Sequence, residues 1–257
     1  KEGTAFISDV DNRRNYIIRK ASNLSKQSHI LAANIDMCLL VVTLREPVTL
    51  PVFIDRLLAT AEAYSVDVAI AINKADLLDA DDYDAALEMA RMYESIGYKT
   101  YIISVLQDRG LDCLAGDLKN KVTLLAGNSG VGKSALLNRL VPTANARTSS
   151  ISAAHLAGMH TTTFSAMYDL PGGGALIDIP GVKGFGTFNF EKEEVSHYFR
   201  EIFKVGRGCR FDNCIHVNEP GCAVLEAVKN GEIALSRYNS YLNMLDDKEE
   251  GKYRSGY

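Results

Sequence analysis

Hydrophobic and polar positions divide the chain into three textures. Residues 1–34 are polar and basic. Two short runs there, Phe6–Val10 and Asn15–Ile18, flank an Asp11-Asn12-Arg13 turn and predict a pair of strands. They are too few to bury a core. At Ile35 the pattern changes. Ile35–Leu44 is a continuous apolar, β-branched run, the mark of a strand covered on both faces. Pro51–Val66 predicts an amphipathic helix with proline in its first turn. A strand at Val68–Ile72, a helix at Asp82–Ile96, a strand at Thr100–Val105 and a helix at Leu111–Leu118 follow. Next come a strand at Val122–Ala126 and a helix at Lys133–Leu140. Thr163–Leu170 and Gly174–Ile179 then predict paired strands around Pro171-Gly172-Gly173-Gly174. Strands alternating with helices imply an α/β layer with a mainly parallel sheet. From Glu191 the strands stop, and Glu191–Lys204, Ala223–Asn230 and Ile233–Leu245 read as helices.

Composition narrows the class. Of 257 residues, 47% are hydrophobic and 23% charged, which excludes a largely disordered chain. The longest apolar runs, Met37–Thr43 and Val66–Ile72, fall far short of the roughly 20 residues that span a bilayer. The net charge of −4 argues against a uniformly basic coat but leaves room for a local basic patch. Cys209, Cys214 and Cys222 cluster with His216 among them, whereas Cys38 and Cys113 stand alone and are expected to be core thiols. An odd, clustered set without a leader-like segment predicts a cytoplasmic metal site rather than a disulfide framework. A monomer is expected.

The first chemical motif is Gly127-Asn128-Ser129-Gly130-Val131-Gly132-Lys133-Ser134, followed by Ala135. It fits G-x-x-x-x-G-K-[ST] between an apolar strand and a helix, the context that motif needs. Its backbone N–H groups would cradle phosphates, with the helix dipole in support. Lys133 would reach the β- and γ-phosphates and Ser134 would ligate Mg²⁺. This loop does not choose between ATP and GTP.

Asn73-Lys74-Ala75-Asp76 makes that choice. It follows a buried strand and fits N-K-x-D. A carboxylate such as Asp76 accepts both N1–H and the exocyclic N2–H of guanine, and adenine offers no matching donors. Asn73 would tie its loop to the phosphate loop or to the base. Ser104, at the end of a strand, resembles a second base-contacting loop.

Asp178-Ile179-Pro180-Gly181 ends a strand and fits D-x-x-G. Asp178 would hold Mg²⁺ through water, and the Gly181 N–H would meet the γ-phosphate. Upstream, His160-Thr161-Thr162-Thr163 follows a small-residue stretch. Thr162 is assigned to the Mg²⁺ shell, in an order–disorder switch. Val182 stands where many GTPases carry a water-orienting glutamine, so intrinsic hydrolysis should be slow and His160 is the local candidate for positioning water. Catalysis is thus assigned to Lys133, Thr162 and His160.

In ordinary GTPases the phosphate loop comes first and N-K-x-D late. Here the order is Asn73–Asp76, Ser104, the phosphate loop, Thr161–Thr163 and Asp178–Gly181, a circular permutation with Lys119–Lys121 as the joining link. Termini of a domain often lie close together, so such a join is inexpensive. The tail carries Cys209-x4-Cys214-x-His216-x5-Cys222, and the front ends in Ala33-Asn34-Ile35-Asp36 after a basic strand pair. In this combination the chain resembles the ribosome small subunit-dependent GTPase family (RsgA, also called YjeQ), which matures the bacterial 30S subunit.

The resemblance implies an α/β fold: a circularly permuted P-loop GTPase domain (35–188), a partial N-terminal OB-fold remnant (1–34) and a C-terminal helical zinc-binding domain (189–257). It implies GTP/GDP, Mg²⁺ and Zn²⁺ as ligands, and the 30S subunit with its 16S rRNA as partner. Cys209, Cys214, His216 and Cys222 form a Cys₃His set suited to tetrahedral zinc. The function implied is a late assembly factor whose GTPase is stimulated by 30S and whose hydrolysis drives release. The alternative is a GTP-controlled binding module in which hydrolysis is incidental. Arg200, Lys204, Arg207 and Arg210, opposed only by Glu201 and Asp212, read as a basic patch for rRNA phosphates.

Overall fold

A computed structural model of the chain describes residues 7–20, 28–146, 165–179 and 190–250. Two strands, β1 (Tyr16–Lys20) and β2 (Ser28–Ala33), pair antiparallel as a ribbon, with an irregularity between Ile17 and Ile18. The strand expected at Phe6–Val10 is not present at residues 7–10, which take no regular structure. The partner of β1 lies downstream of it instead.

Six strands form the main sheet: β3 (Met37–Val42), β4 (Asp67–Ile72), β5 (Lys99–Ile102), β6 (Val122–Ala126), β7 (Ala166–Asp169) and β8 (Ala175–Asp178). Their spatial order is β5-β4-β3-β6-β8-β7. All neighbours run parallel except β7, which pairs antiparallel with β8. Helices cover both faces, and the period of two along β3 explains how. Cys38, Leu40 and Val42 join one core with Ile54, Leu57, Ile70 and Tyr93, from α1 (Pro51–Ala63), β4 and α2 (Ala80–Ser95). Met37, Leu39 and Val41 join the other, with Leu114 and Leu136 from α3 (Leu111–Leu118) and α4 (Lys133–Leu140). Ile17 of the ribbon belongs to the first core.

The chain runs outward from β3 through β4 to β5, then returns to the other side of β3 as β6. Such a switch in direction leaves a crevice at the carboxyl ends of the central strands, where ligands bind in open α/β sheets. The Lys119–Lys121 link packs against the β7–β8 turn: the Asn120 N–H donates to the Gly173 carbonyl (2.9 Å) and the Ala175 N–H to the Lys121 carbonyl (2.9 Å).

Beyond the sheet, the helix expected over Glu191–Lys204 is broken. It comprises α5 (Lys192–Val195), a 3₁₀ turn (Ser196–Tyr198) and α6 (Arg200–Gly206), separated at the extended Phe199. Phe199 is fully buried, and turning it inward interrupts the helical path. With α7 (Ala223–Lys229) and α8 (Leu235–Glu250) these elements enclose a third core, to which α1 contributes Ala59. Arg237 of α8 fastens this region to the sheet layer. Only 1% exposed, it donates to Asp55 of α1 at 2.7 Å and to Glu201 of α6 at 2.6 and 3.1 Å. The Tyr93 hydroxyl donates to the same Asp55 oxygen (2.8 Å). No helix among the described residues is long and apolar enough to cross a membrane.

Candidate nucleotide site and metal centre

Four loops meet at the carboxyl edge of the sheet. After β6, Gly127 turns with φ +136°, and a side chain there would run into the Val41 carbonyl of the neighbouring strand. Gly132 (φ +98°) lies against the Asn73 amide with no room for a Cβ. These two positions require glycine on steric grounds. Gly127, Asn128, Ser129, Gly130, Val131 and Gly132 thus form a tight loop that delivers Lys133, Ser134 and Ala135 into the first turn of α4. The Lys133 ammonium donates to the carbonyls of Gly127 and Asn128, at 2.7 Å each. Burial pulls the Lys133 ammonium below its ordinary pKa, and the charge of Asp178 opposes this. At the end of β8, burial raises the Asp178 carboxyl while Lys133 lowers it. The two opposite charges therefore face the same half-buried volume beside the loop.

The Asn73–Asp76 loop leaves β4 one strand further on. Asn73 is buried and donates from Nδ2 to the Val131 carbonyl (2.9 Å), while its Oδ1 accepts from the Val105 N–H (3.3 Å). Of the two ties considered for Asn73, the structure contains the one to the phosphate loop. Lys74 takes a left-handed conformation and donates to the Glu46 carbonyl. Ala75 is buried, its N–H bonded to the Ile103 carbonyl. Asp76 accepts from the hydroxyl of the fully buried Ser104, which also accepts from the Gln107 N–H (3.1 Å). Ser104 stands two residues past the end of β5, not within a strand as expected, because its backbone pairs with Arg109 in an isolated bridge. The N-cap of α2 belongs to Asp79, which accepts from the Asp82 N–H, so Asp76 is not needed as a cap.

Sequence reasoning missed the loop after β3. Pro47 lies against Gly130 of the phosphate loop, and Glu46 receives Lys74. Arg45 pairs with Asp82 at 2.6 and 2.9 Å. The proline within a polar stretch after a buried strand was the available signal. His160, Thr161, Thr162, Thr163 and Gly181 lie outside the described residues.

The second site occupies the connection from Arg207 to Cys222, which holds no helix or strand. The donor atoms of Cys209, Cys214, His216 and Cys222 all lie within 4.8 Å of one another. The Cys209 and Cys222 sulfurs are 3.8 Å apart, and each is 3.5 Å from His216 Nδ1. Tetrahedral zinc, with Zn–S about 2.3 Å and Zn–N about 2.05 Å, needs S···S near 3.8 Å and N···S near 3.6 Å. The donor set therefore fits a closed tetrahedral ion. His216 sits at φ +60°, an uncommon conformation for a non-glycine residue, held from several sides. Tyr238 and Tyr241 of α8 donate to the carbonyls of His216 and Ile215 (2.7 Å each). The Glu219 carboxylate accepts from the N–H groups of Ile215, Val217 and Asn218 at 2.8–3.0 Å. Burial works to raise the Glu219 carboxyl, but these backbone donors together outweigh it and hold it down to about 2. Of the other cysteines, Cys38 is a core thiol as expected, but Cys113 is exposed on α3.

This geometry fits a permuted GTPase, and comparison with known proteins decides it. The model of the RsgA GTPase family matches residues 10–188. The chain belongs to the RsgA GTPase family. A protein from Bacteroides fragilis named small ribosomal subunit biogenesis GTPase RsgA is 56% identical over 257 residues, covering all of this chain and 83% of that protein. A protein of the same name from Porphyromonas gingivalis is 56% identical over 98% of the chain and 81% of its own length. Among solved structures, YjeQ from Thermotoga maritima superposes with a TM-score of 0.76 at 34% identity, covering 95% of this chain and 78% of that one. YloQ, described as a circularly permuted GTPase, gives 0.75 at 27% identity, with 96% and 76% covered. The permutation read from the motif order holds, and the chain is a GTP hydrolase by family.

Proposed function

We propose that this RsgA-family chain hydrolyses GTP during late assembly of the small ribosomal subunit in the cytoplasm, and that the 30S particle stimulates turnover. The observation that carries this reading is the convergence of Asn73, Asp76, Ser104, the phosphate loop and Asp178 on one edge of the sheet, in a chain 56% identical to proteins named for that task.

In this reading Asp76, steadied by Ser104, accepts the two guanine N–H donors. Asn73 locks the base loop to the phosphate loop, so the two halves of the nucleotide are read by one rigid unit. Backbone N–H groups from Ser129 to Lys133 receive the phosphates, and Lys133 turns from its loop carbonyls to the β- and γ-oxygens. Ser134 and Thr162 would supply direct oxygen ligands for Mg²⁺ and Asp178 would hold it through water; the bound ion would neutralise phosphate charge. Gly181 senses the γ-phosphate, and His160 positions the attacking water where Val182 cannot. Zn²⁺ is the ion for Cys209, Cys214, His216 and Cys222. The division into an OB remnant, a GTPase core and a zinc-bound tail belongs to the same reading.

The test is turnover of GTP and ATP with and without purified small subunits. GTP hydrolysis should rise with subunits, and ATP should not compete. Asp76→Asn should weaken GTP about 100-fold or more, because a buried polar reader loses its match, and should favour xanthosine triphosphate. Equal competition by ATP, or turnover indifferent to subunits, would overturn the proposal.

A further inference from the structure

The arginines near the metal centre fall into two kinds. Arg200, expected in the basic patch, lies partly buried: it donates to Glu62 (2.6 Å) and the Gly97 carbonyl (2.9 Å) and stacks on Tyr98, 4.2 Å from the ring centre. Arg237 is closed off in the same way by Asp55 and Glu201, over Phe199 at 4.6 Å. Both are fasteners held by acids, and Glu201 is thereby withdrawn from opposing the patch.

Arg207 and Arg210 differ. Each is exposed and lies over an aromatic ring, Arg207 at 5.0 Å from the Phe203 centre and Arg210 at 5.5 Å from that of Phe211. Neither has a carboxylate partner among the described residues, nor has exposed Lys204, which follows Phe203. The rings themselves are 40% and 41% exposed. His197 meets Phe203 edge-on at 5.2 Å. A single exposed aromatic is ordinary. Two within one short basic stretch, each bearing an unneutralised guanidinium and one adjoining the metal ligand Cys209, form a pattern with a chemistry of its own. Aromatic faces and guanidinium planes stack on unpaired bases, and free cations draw phosphates. A base-paired helix keeps its base faces hidden, so such rings gain nothing from it.

We propose that Phe203 and Phe211, with Lys204, Arg207 and Arg210, form a stacking platform for unpaired bases of single-stranded RNA. This rests on the small-subunit reading above and specifies the form of RNA that this face takes. A protein hot spot would also use aromatic and arginine side chains. The three cations, without carboxylate partners among the described residues and opposed in this stretch only by Asp212, favour a polyanion.

The test measures binding of the intact, metal-loaded protein to a short fluorescent single-stranded oligoribonucleotide and to a duplex of equal length, by anisotropy across salt concentrations. Phe203→Leu and Phe211→Leu should each weaken single-strand binding about 10-fold at every salt concentration, the scale of one base–aromatic stack, and leave duplex binding nearly unchanged. Arg207→Gln and Arg210→Gln should flatten the salt dependence. Phe203→Trp and Phe211→Trp keep a stacking face and should retain affinity, which separates lost stacking from lost folding. Thermal midpoint and bound metal report folding directly. Leucine variants that bind as the parent does, or that weaken duplex and single strand alike, would overturn the proposal. So would rings needed for the 30S particle but not for the oligonucleotide, which would assign the face to a ribosomal protein. Oligonucleotide binding that persists while subunits fail to stimulate GTP turnover would sink the assembly reading alone.

Discussion

The nucleotide edge and the metal knuckle are both built from loops, but different forces hold them. The nucleotide loops hang from buried strands, and hydrogen bonds such as Asn73 to Val131 join one loop to the next. Their shape is part of the sheet. The knuckle from Arg207 to Cys222 has no ladder behind it. It is fixed by four converging donors, one carboxylate that gathers three N–H groups, and two tyrosine hydroxyls. A loop supported by a sheet can wait for its ligand; a loop with little backbone structure of its own draws folding energy from the ion it binds.

The largest test of that contrast is ligand withdrawal. Structural zinc contributes on the order of 10 kcal/mol or more in small metal-folded units. Nucleotide at 100 times its Kd adds only about 2.7 kcal/mol by mass action. Chelation should therefore erase hydrogen-exchange protection across residues 207–222 first, while β3, β4 and β6 stay protected. Removing nucleotide should lower thermal stability modestly and leave the loops' protection largely intact. Unchanged protection in 207–222 after complete metal removal would break the comparison.

Next in size is the fastener between the two regions. Arg237→Ala leaves Asp55 and Glu201 as buried charges without their cation, and such a break costs about 3–5 kcal/mol. Urea unfolding should show that loss, and adding Asp55→Asn and Glu201→Gln should recover part of it. A loss below about 1 kcal/mol would mean the pair is solvated on removal of its partner.

The smallest effect is expected at the opposite end of the sheet. Asp36 accepts from the Val122 N–H (2.8 Å) and from Arg14 (3.0 Å), and these partners hold its carboxyl below the usual value. A lowered carboxyl pKa stabilises above the unfolded value and loses that contribution as pH falls through the folded one. Asp36→Ala should cost about 1–2 kcal/mol at neutral pH. The difference from the parent should narrow as pH drops below about 4.

How much of this was legible beforehand follows the same division. The helices at 111–118 and 133–140 and the strand at 122–126 lie where periodicity put them, because local pattern and burial agree there. The Asn73–Asp76 and Gly127–Ser134 runs are legible as adjoining loops because each carries fixed backbone demands, such as the positive φ at Gly127 and Gly132. The ribbon's pairing is not legible locally: a two-stranded pairing carries little local signal, and its register depends on contacts such as Ile17 with the core. The role of Arg200 is hidden for a related reason. Its partner Glu62 is remote in sequence, and charge counting along a segment cannot see it. One clue was available for Arg237, since Asp55 sits on the buried stripe of α1 beside Ile54, Leu57 and Leu58. A lone acid at such a position requires a cation from elsewhere in the chain.

That arginine also limits how this gene can be rearranged. Permutation shows that the order of the sheet's segments is negotiable, since loops that meet at one edge do not depend on which comes first. The last helix is not negotiable in the same way. A shortened descendant ending before Leu235 would delete the countercharge of Asp55 and uncover the face of α1 on which α8 packs, together with the third core. Loss of the helix would first need a polar recasting of that face of α1, so the sheet layer and the last helix are bound to be inherited together.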